Sequence, residues 1–402
     1  MTENRPHFSN IIHKDLEELF AAVQTPAYVL DEAALVRNGE ILKQVADETG
    51  AKILLAQKAF SNYDLYPVLA PYMAGTEASG LFEARLGKEE MPDREVHVFC
   101  GAYKETDFPE LFDYADHIVF NSPAQLKKYG AMCREAGKSV GLRINPECST
   151  QEGHAIYDPC APGGRLGTTR AAFDAQMDEE MIAMLDGLHF HTLCEQDADA
   201  LEITLQAVGE KFGDILSGCK WVNFGGGHHV TRPGYDLERL KKCIRFAQET
   251  WKLQVYLEPG EAWALNAGYL LTRVLDTPVN GETKLAIIDA SAACHMPDVI
   301  EMPYQPPLLG AALQEEGAEG VPYRLGGPTC LSGDVVGDYC FERSLQEGDL
   351  LVFGDMAIYT TCKNNTFNGM PLPDIYVLRP DDTIEQLTHF TYNDFKGRLG
   401  RR

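Results

Sequence analysis

Short runs of apolar and β-branched residues recur along the first two-thirds of the chain, and helix-like stretches separate them. The eight runs are Lys52–Gln57, a weaker one at Gly75–Ser79, Val96–Cys100, His117–Phe120, Ser139–Ile144, Gly187–Thr192, Trp221–Phe224 and Leu253–Leu257. The intervening segments with a helical pattern include Ser122–Gly137, Thr169–Leu185, Asp197–Leu216 and Tyr235–Thr250. Strands that alternate with helices form a parallel sheet covered by helices, and eight repeats predict a (β/α)8 barrel.

Two of these helical segments carry clear signals. In Asp197–Leu216 one face of the helix is apolar, and its residues are Ala198, Leu201, Leu205, Val208 and Phe212. Segment Ser122–Gly137 opens with a serine at the N-cap position, continues with a proline at the first helical position and ends on glycine. Both segments therefore favour α-helix.

After about residue 270 the pattern changes to strand-like runs between proline- and glycine-rich stretches. These runs are Tyr269–Leu275, Lys284–Asp289, Leu350–Phe353 and Asp374–Leu378, and Ala27–Leu30 reads as a further strand. We therefore predict two domains. Residues 32–268 form the barrel, and residues 1–31 with 269–402 form an all-β domain.

Composition and charge exclude several classes of function. The 402 residues include 35 basic and 60 acidic ones, a formal charge of −25, so nucleic acid and anionic membranes would be repelled. Such a charge suits either plain solubility or the attraction of cationic small molecules. The 11 cysteines form no Cys-x-x-Cys pair, the first residues are polar and lack the apolar core of a signal peptide, and no apolar run is long enough to span a membrane. We expect a cytoplasmic protein.

Reactive groups of a (β/α)8 barrel lie at the C-terminal ends of its strands. Lys58 directly follows the first barrel run, where a lysine can form a Schiff base, although a surface lysine is the simpler interpretation. His191 ends the run Leu188–His191. It is open to three interpretations: a metal ligand with His189, a core histidine, or a ring packed against a flat cofactor.

The next two strand ends add a glycine loop and a carboxylate. Gly225–Gly227 follows Trp221–Phe224, and consecutive glycines let backbone N–H groups approach a phosphate, although a tight turn explains them equally well. Glu258 ends the run Leu253–Leu257, where it could pair with a pyridine nitrogen or merely open a turn. A lysine, an imidazole, a phosphate loop and a carboxylate together match the needs of pyridoxal 5'-phosphate.

At these residues the chain resembles the fold-type III pyridoxal-phosphate enzymes, the superfamily of alanine racemase and of ornithine and diaminopimelate decarboxylases. Further matching segments are Thr25–Tyr28, Glu77–Ser79, Leu142–Ile144, Gly327–Cys330, Gly354–Tyr359 and Phe367–Gly369. The resemblance therefore covers nearly the whole chain. Within the superfamily the chain most resembles the decarboxylases of the carboxylated polyamines carboxynorspermidine and carboxyspermidine.

The resemblance implies a role for each matched residue. Lys58 would hold the cofactor through a Schiff base, His191 would stack on its ring, Glu258 would pair with its nitrogen, and Gly225, Gly226 and Gly227 with Tyr359 would bind its phosphate. Cys330 would act in catalysis from across the interface of a head-to-tail homodimer. Its context, Gly-Pro-Thr-Cys, tells against a racemase.

Two departures from the sibling decarboxylases concern the substrate. Glu261 follows Glu-Pro-Gly where those enzymes generally have an arginine, and Leu331 follows Cys330 where they have an acidic residue. A carboxylate in place of the arginine suits a cationic substrate. Asp334, Asp289 and Asp298 are further candidates for binding its distal amines, although the last two can equally be charged loop residues.

Three alternatives stay open from the sequence. The first is a decarboxylase of diaminopimelate, ornithine or arginine. The second is a protein that binds pyridoxal phosphate without catalysis, against which Lys58 and Cys330 argue. The third is a metal-dependent barrel hydrolase built on His189, His191, His228 and His229; with pyridoxal phosphate as cofactor we expect no metal.

Overall fold

The structure is a computed structural model that describes residues 15–151, 158–314 and 318–401. The described residues divide into two compact units. One runs from Val36 to Trp263, and the other combines the described residues up to Leu35 with those from Ala264 onward. The predicted barrel, residues 32–268, extends a few residues beyond the first unit at both ends. Among the described helices, none is long and apolar enough to cross a membrane.

The chain begins, within the described residues, with helix α1 (Asp15–Phe20) and strand β1 (Ala27–Asp31), which belong to the second unit. The first unit is a closed barrel of eight parallel strands, as predicted. The strands are β2 (Lys52–Ala56), β3 (Gly75–Ala78), β4 (Glu95–Phe99), β5 (His117–Phe120), β6 (Ser139–Arg143), β7 (Gly187–His189), β8 (Trp221–Asn223) and β9 (Gln254–Leu257). Each strand pairs with the next along the chain, and β9 closes the barrel by pairing with β2.

Helices connect and cover these strands. They are α2 (Glu32–Thr49), α3 (Tyr66–Leu69), α4 (Leu81–Glu90), α5 (Phe108–Tyr114), α6 (Pro123–Glu135), α7 (Arg170–Gln176), α8 (Glu179–Met184), α9 (Ala198–Leu216), α10 (Leu237–Trp251) and α11 (Glu261–Ala264), with 3-10 turns at Tyr63–Leu65, Ala70–Tyr72 and Glu105–Asp107. The Ser122 side chain caps α6 as predicted, by accepting a hydrogen bond from the N–H of Gln125. The apolar face predicted for α9 is buried.

The helix predicted across Thr169–Leu185 is instead two short helices, α7 and α8. The Asp178 side chain accepts a hydrogen bond from the backbone N–H of Met181 and so begins α8 as its N-cap. Asp at an N-cap favours extended backbone at that residue, which is incompatible with one continuous helix.

An indole fills part of the barrel interior. Trp221 packs with Leu54, Val119 and Tyr256 in one buried cluster. A Cβ atom on Gly187 would lie 2.1 Å from the Trp221 ring, and one on Gly141 would lie 2.4 Å from it. The glycines in β6 and β7 thus leave the volume that the indole occupies.

The second unit is a mostly antiparallel sheet with a few short helices. Its strands after β1 are β10 (Gly268–Asp276), β11 (Val279–Asn280), β12 (Thr283–Ile288), β13 (Ala311–Leu313), β14 (Val321–Gly326), β15 (Val335–Phe341), β16 (Leu350–Gly354), β17 (Asp374–Leu378) and β18 (Ile384–Thr388). The helices are α12 (Ala292–His295), α13 (Asp298–Glu301), α14 (Thr360–Lys363) and α15 (Tyr392–Gly397), with a 3-10 turn at Phe367–Gly369. The sheet order is β13-β15-β14-β12-β10-β1-β17-β18, with β11 paired to β12 and β16 to β10.

The predicted strand near the N-terminus does join this sheet. Strand β1 pairs antiparallel with β10 and parallel with β17, so it lies inside the sheet. A buried cluster that includes Leu270, Ile288, Tyr339 and Phe353 forms one side of its core. Strands β11, β13, β14, β15 and β18 were not among the predicted runs.

Candidate active site

The C-terminal ends of the barrel strands surround a cavity of about 230 Å³. Three of the predicted residues, Lys58, His191 and Glu258, line it together. The other lining residues are Glu77, Ser79, Phe99, Cys100, Gly101, Arg143, Arg165, Leu166 and His189. The order of the strands in the closed barrel therefore brings together side chains that are 200 residues apart in the chain.

Glu258 is a buried carboxylate held by two hydrogen bonds. Its Oε2 accepts from His189 Nε2 at 2.9 Å, and its Oε1 accepts from Asn223 Nδ2 at 2.5 Å. Burial by itself would raise the pKa of Glu258, but the charge and hydrogen bond of His189, aided by Lys58, lower it below the ordinary value. Glu258 is therefore ionised inside the barrel.

The glycine loop after β8 brings two strand ends into contact. The carbonyl of Gly225 accepts from the N–H of Glu258 at 2.8 Å, and Asn223 Oδ1 accepts from the N–H of Gly225 at 2.9 Å. A Cβ atom on Gly226 would lie 2.6 Å from the Glu258 carbonyl oxygen. The glycines thus let the loop backbone pack directly against the end of β9, in addition to the predicted role in phosphate binding. The N–H of Gly225 already donates to Asn223.

His191 faces the cavity as a neutral ring. Its Nδ1 accepts a hydrogen bond from the N–H of Gly226 at 3.3 Å, which leaves the proton on Nε2. Burial, with the cations Lys58 and Arg143 nearby, lowers the pKa of His191 well below its ordinary value. A neutral, flat imidazole fixed by the glycine loop can stack against an aromatic ring.

A second buried carboxylate, Glu77, lines the cavity and was not assigned a role from the sequence. Burial raises its pKa to about 8, although the charge of Lys58 opposes this shift. Its Oε2 is buried without a hydrogen-bond partner, as is Nδ1 of His189. The matched segment Glu77–Ser79 was the available signal for this residue.

Arg143 is the second functional residue that sequence reasoning left without a role. Its guanidinium is buried, lies 4.6 Å from the centre of the Phe99 ring and donates to the carbonyl of His191 at 3.3 Å. Burial lowers the pKa of Arg143 to about 10, and the charges of Glu258 and Glu77 oppose that shift. Arg143 is a buried cation at the end of β6. Its position at the end of a barrel strand was the sequence signal that could have identified it.

Glu261, the carboxylate that replaces the arginine, is bound to a histidine. His229 Nε2 and Glu261 Oε2 are 2.5 Å apart, and both side chains are mostly buried. Glu195 brings a second carboxylate, and one ligand atom from each of the three residues lies within 4.8 Å of the others. The predicted amine site is thus a mixed cluster of two carboxylates and an imidazole.

Cys330 belongs to the sheet unit, where it is exposed on a turn. Its backbone N–H donates to Asn368 Oδ1 at 2.8 Å. Asp334 is buried beneath this turn and accepts from Thr329 Oγ1 at 2.6 Å and from Ser291 Oγ at 2.9 Å. Both oxygens of Asp334 are therefore already occupied, and the structure favours a role in shaping the Cys330 turn over the expected direct contact with an amine.

The remaining residues predicted in the sheet unit are also engaged. Asp289 accepts hydrogen bonds from Thr272 Oγ1, Thr25 Oγ1 and the N–H of Arg273, so both of its oxygens are occupied. Asp298 forms an ion pair with Lys363. These contacts favour the alternative that both are structural loop carboxylates.

Tyr359, the predicted phosphate ligand of the sheet unit, precedes helix α14. It has a φ of 59°, in the left-handed region that non-glycine residues seldom adopt. Backbone strain of this kind is concentrated at functional sites.

The four histidines of the metal-hydrolase alternative do not form one cluster among the described residues. The groups in which His, Cys, Asp or Glu side chains could share an ion there are Glu95 with His97 and His117, and Glu195 with His229 and Glu261. His189 is bound to Glu258, and His228 lies 3.5 Å from the carbonyl oxygen of Phe224. The geometry therefore gives no support to a site made of His189, His191, His228 and His229.

The residues around the cavity fit pyridoxal phosphate. Lys58 offers a primary amine, and Glu258 offers a carboxylate that is kept ionised although it is buried. An ionised carboxylate stabilises a protonated pyridine nitrogen, while the neutral ring of His191 offers a stacking surface.

Comparisons with known proteins agree with this chemistry. The family model described as pyridoxal-dependent decarboxylase, C-terminal sheet domain, matches residues 27–357. A carboxynorspermidine/carboxyspermidine decarboxylase of Campylobacter jejuni is 40% identical, over 94% of this chain and 99% of its own length. A carboxyaminopropylagmatine decarboxylase of Synechocystis is 39% identical, over 94% of this chain and 96% of its own length. The crystal structure of carboxynorspermidine decarboxylase complexed with norspermidine, from Campylobacter jejuni, superposes with a TM-score of 0.85 and covers 94% of this chain and 100% of its own.

Proposed function

Because this chain belongs to the family of pyridoxal-dependent decarboxylases, we propose that it removes carbon dioxide from a carboxylated polyamine. The substrate is carboxynorspermidine or carboxyspermidine, and the product is norspermidine or spermidine. The observation that carries this proposal is the similarity, along nearly the full length of both chains, to an enzyme of that name. The protein is a pyridoxal-phosphate enzyme of polyamine biosynthesis.

When bound, pyridoxal phosphate joins the substrate's amine and accepts the electron pair of the bond to the departing carboxylate. Lys58, which lines the cavity, would hold the cofactor through its primary amine. Glu258 would keep a positive charge on the ring nitrogen, since hydrogen bonds from His189 and Asn223 stabilise its ionised form in a buried position. His191 would support the ring from one face. Of the glycine loop, Gly225 and Gly226 already donate their N–H groups to Asn223 and His191, which leaves Gly227 as the proposed backbone donor to the phosphate. Tyr359 stays the predicted phosphate ligand of the sheet unit.

Protonation of the substrate's α-carbon requires an acid after carbon dioxide leaves. We assign this proton to Cys330, which the turn above Asp334 presents at the surface of the sheet unit. In this assignment Cys330 serves the site of a second copy, and the working enzyme is a homodimer. All eleven cysteines are free thiols, which suits a reducing, cytoplasmic compartment.

Glu261 is the proposed recognition group for the substrate's amines. A carboxylate attracts an ammonium group and repels the second carboxylate of diaminopimelate. The formal charge of −25 adds a long-range attraction for any polycation.

A second candidate substrate is carboxyaminopropylagmatine, because a decarboxylase of that name is 39% identical to this chain. The two candidates share a carboxylated aminopropyl group and differ at the far end of the molecule. The reaction at the cofactor would be the same for both, so Lys58, Glu258 and Cys330 do not distinguish them.

The test is turnover of carboxynorspermidine, carboxyspermidine, carboxyaminopropylagmatine, diaminopimelate, ornithine and arginine by the purified enzyme. We expect the highest kcat/KM with one of the first two, and a preference for diaminopimelate would refute the role of Glu261. Lys58→Ala should lose the visible absorbance of the bound cofactor together with turnover. Metal analysis of the same preparation addresses the hydrolase alternative, because a stoichiometric metal without that absorbance would contradict the proposed function.

A further inference from the structure

Two loops and a short helix of the barrel unit converge beside Glu261. The N–H of Gln196 donates to the carbonyl of Gly227 at 3.0 Å, and the N–H of His229 donates to the carbonyl of Gln196 at 3.2 Å. Thr231 Oγ1 donates to the carbonyl of Ala262 at 2.7 Å and so ties the second loop to α11. These bonds fix His229 between the loop that carries Glu195 and the helix that begins at Glu261.

The loops can meet this closely because of one glycine. Gly227 has a φ of +82°, and a Cβ atom there would lie 2.0 Å from the carbonyl oxygen of Leu193. Any other residue at position 227 would push the two loops apart. The position of His229 is therefore a built feature of the barrel's C-terminal end.

His229 and Glu261 form a largely buried pair. The side chain of His229 is 10% exposed and that of Glu261 is 18% exposed, with 2.5 Å between Nε2 and Oε2. The charged groups that face His229 are Glu261 on α11, Glu195 on the neighbouring loop and Arg232 on its own loop; Arg232 is bonded to Asp197 at 3.1 Å. Burial lowers the pKa of His229 and Arg232 does so weakly, but the two glutamates outweigh them and the pKa is raised above its ordinary value.

The cluster lies within electrostatic range of the catalytic lysine. The thiol of Cys194, next to Glu195 in the chain, experiences the charges of Lys58 and of both Glu195 and Glu261. Burial and the two carboxylates raise the pKa of that thiol to about 12, so Cys194 is neutral. Glu261 also follows the cavity residue Glu258 by only three positions, so an extended polyamine bound at Lys58 would have this carboxylate nearby.

Resting on the proposed function, we propose that His229 is the positioning residue for Glu261 and that its proton competes with a substrate ammonium group for the Glu261 carboxylate. A protonated His229 neutralises Glu261 and weakens its attraction for the substrate. A neutral His229 still donates its Nε2–H, which keeps Glu261 oriented and leaves its charge uncompensated. Substrate binding therefore releases a proton from His229, since the coupling between two cations at one carboxylate is reciprocal.

The sign of the pH dependence follows from this competition. Below the pKa of His229 the imidazolium occupies Glu261 and KM is high, and KM falls as the pH rises through that pKa. If binding lowers the pKa of His229 by about one unit, KM changes about tenfold across the titration. The value of kcat should change much less, because His229 does not touch the reacting atoms.

The experiment compares wild-type holoenzyme with His229→Gln and His229→Leu between about pH 6 and 8.5, a range around the ordinary histidine pKa. Glutamine keeps an uncharged N–H donor, so its KM should stay near the wild-type value at high pH and lose the pH dependence. Leucine removes the donor, and its KM should be raised at every pH. His389→Gln, which removes an exposed histidine paired with Asp374 at 2.7 Å, should leave KM and its pH profile as in the wild type.

Calorimetry gives a second measurement that needs no variant and no turnover. Norspermidine is titrated into the holoenzyme in buffers of different ionisation enthalpy, and wild type should release up to about one proton. A wild-type KM that does not vary with pH, or equal proton release in wild type and His229→Gln, would overturn this inference. Failure of the wild type to turn over both carboxynorspermidine and carboxyspermidine at any pH would instead contradict the proposed function.

Discussion

Replacement of Glu258 by glutamine removes one charge from the buried end of β9 with little change in shape. In the protein as it stands, Glu258 accepts hydrogen bonds from His189 Nε2 and from Asn223 Nδ2. An amide offers one oxygen for these two donors and turns its own N–H2 group toward the other. The proposed partner, a protonated ring nitrogen, would lose its carboxylate at the same time.

The size of the effect on kcat follows from the burial of Glu258. Its side chain is 5% exposed, so solvent compensates poorly for the loss of its charge. Breaking a buried ion pair by removing one member costs about 3–5 kcal/mol. If about 3 kcal/mol of this is felt in the transition state, kcat falls about a hundredfold. One unsatisfied buried donor adds about 1–3 kcal/mol of lost folding stability.

The assay is release of carbon dioxide under steady state by Glu258→Gln and Glu258→Asp, with thermal unfolding of both holoenzymes. Aspartate keeps the charge on a shorter side chain, so its kcat should lie between those of wild type and Glu258→Gln. A kcat for Glu258→Gln within about threefold of wild type, which is less than 1 kcal/mol, would refute the pairing of Glu258 with the cofactor nitrogen.

The remaining predictions concern the assembly and the barrel. If each site of a two-fold dimer combines Lys58 from one copy with Cys330 from the other, mixing inactive Lys58→Ala with inactive Cys330→Ala should restore activity at about a quarter of the sites. No recovery after confirmed subunit exchange would contradict the shared site. Burial lowers the pKa of His117 to about 2, so the folded protein keeps this residue neutral while the unfolded chain protonates it below its ordinary pKa of about 6.5. Stability is therefore lost as the pH falls below about 6.5, and the melting temperature of His117→Phe should fall less steeply with acid than that of wild type. At about pH 8, where His117 is neutral in the folded and the unfolded state, the activity of the variant should equal that of wild type. A methyl group at Gly187 would lie 2.1 Å from the Trp221 ring, so Gly187→Ala should lose up to about 3 kcal/mol in denaturant unfolding. Gly50→Ala, with open space but a φ of +74°, should lose only the roughly 1 kcal/mol of a left-handed backbone. A loss for Gly187→Ala no larger than that for Gly50→Ala would refute the packing explanation.

The barrel could be predicted from the chain because its strands are buried on both faces. Such strands tend to be continuous apolar runs, and each predicted run overlaps a strand of the barrel. The helix boundary at Asp178 was missed because an N-cap inside a helical pattern does not interrupt its apolar period. Two strands of the sheet unit were missed because their apolar pattern is short or interrupted. Strand β18, at one edge of the sheet, is mostly exposed, and β14 alternates buried and exposed residues and contains a proline.

The positions of Lys58, His191 and Glu258 followed from the sequence, because chain order and barrel closure decide where a strand ends. The ionisation and the hydrogen-bond partners of each carboxylate could not be predicted from the sequence. Glu258 is ionised because His189 and Asn223 bind it, and Asp334 and Asp289 are occupied by hydroxyl and backbone donors from other segments.

By itself, then, the sequence determined the (β/α)8 barrel, the sheet unit and the strand ends that carry the chemistry. These depend on local periodicity and on the order of the elements. Only the tertiary structure decided which acidic groups are free to meet a substrate, because a hydrogen bond forms between atoms that are near in space. His229 and Glu261 are 32 residues apart in the chain, and a contact between loops, made possible by Gly227, brings them together.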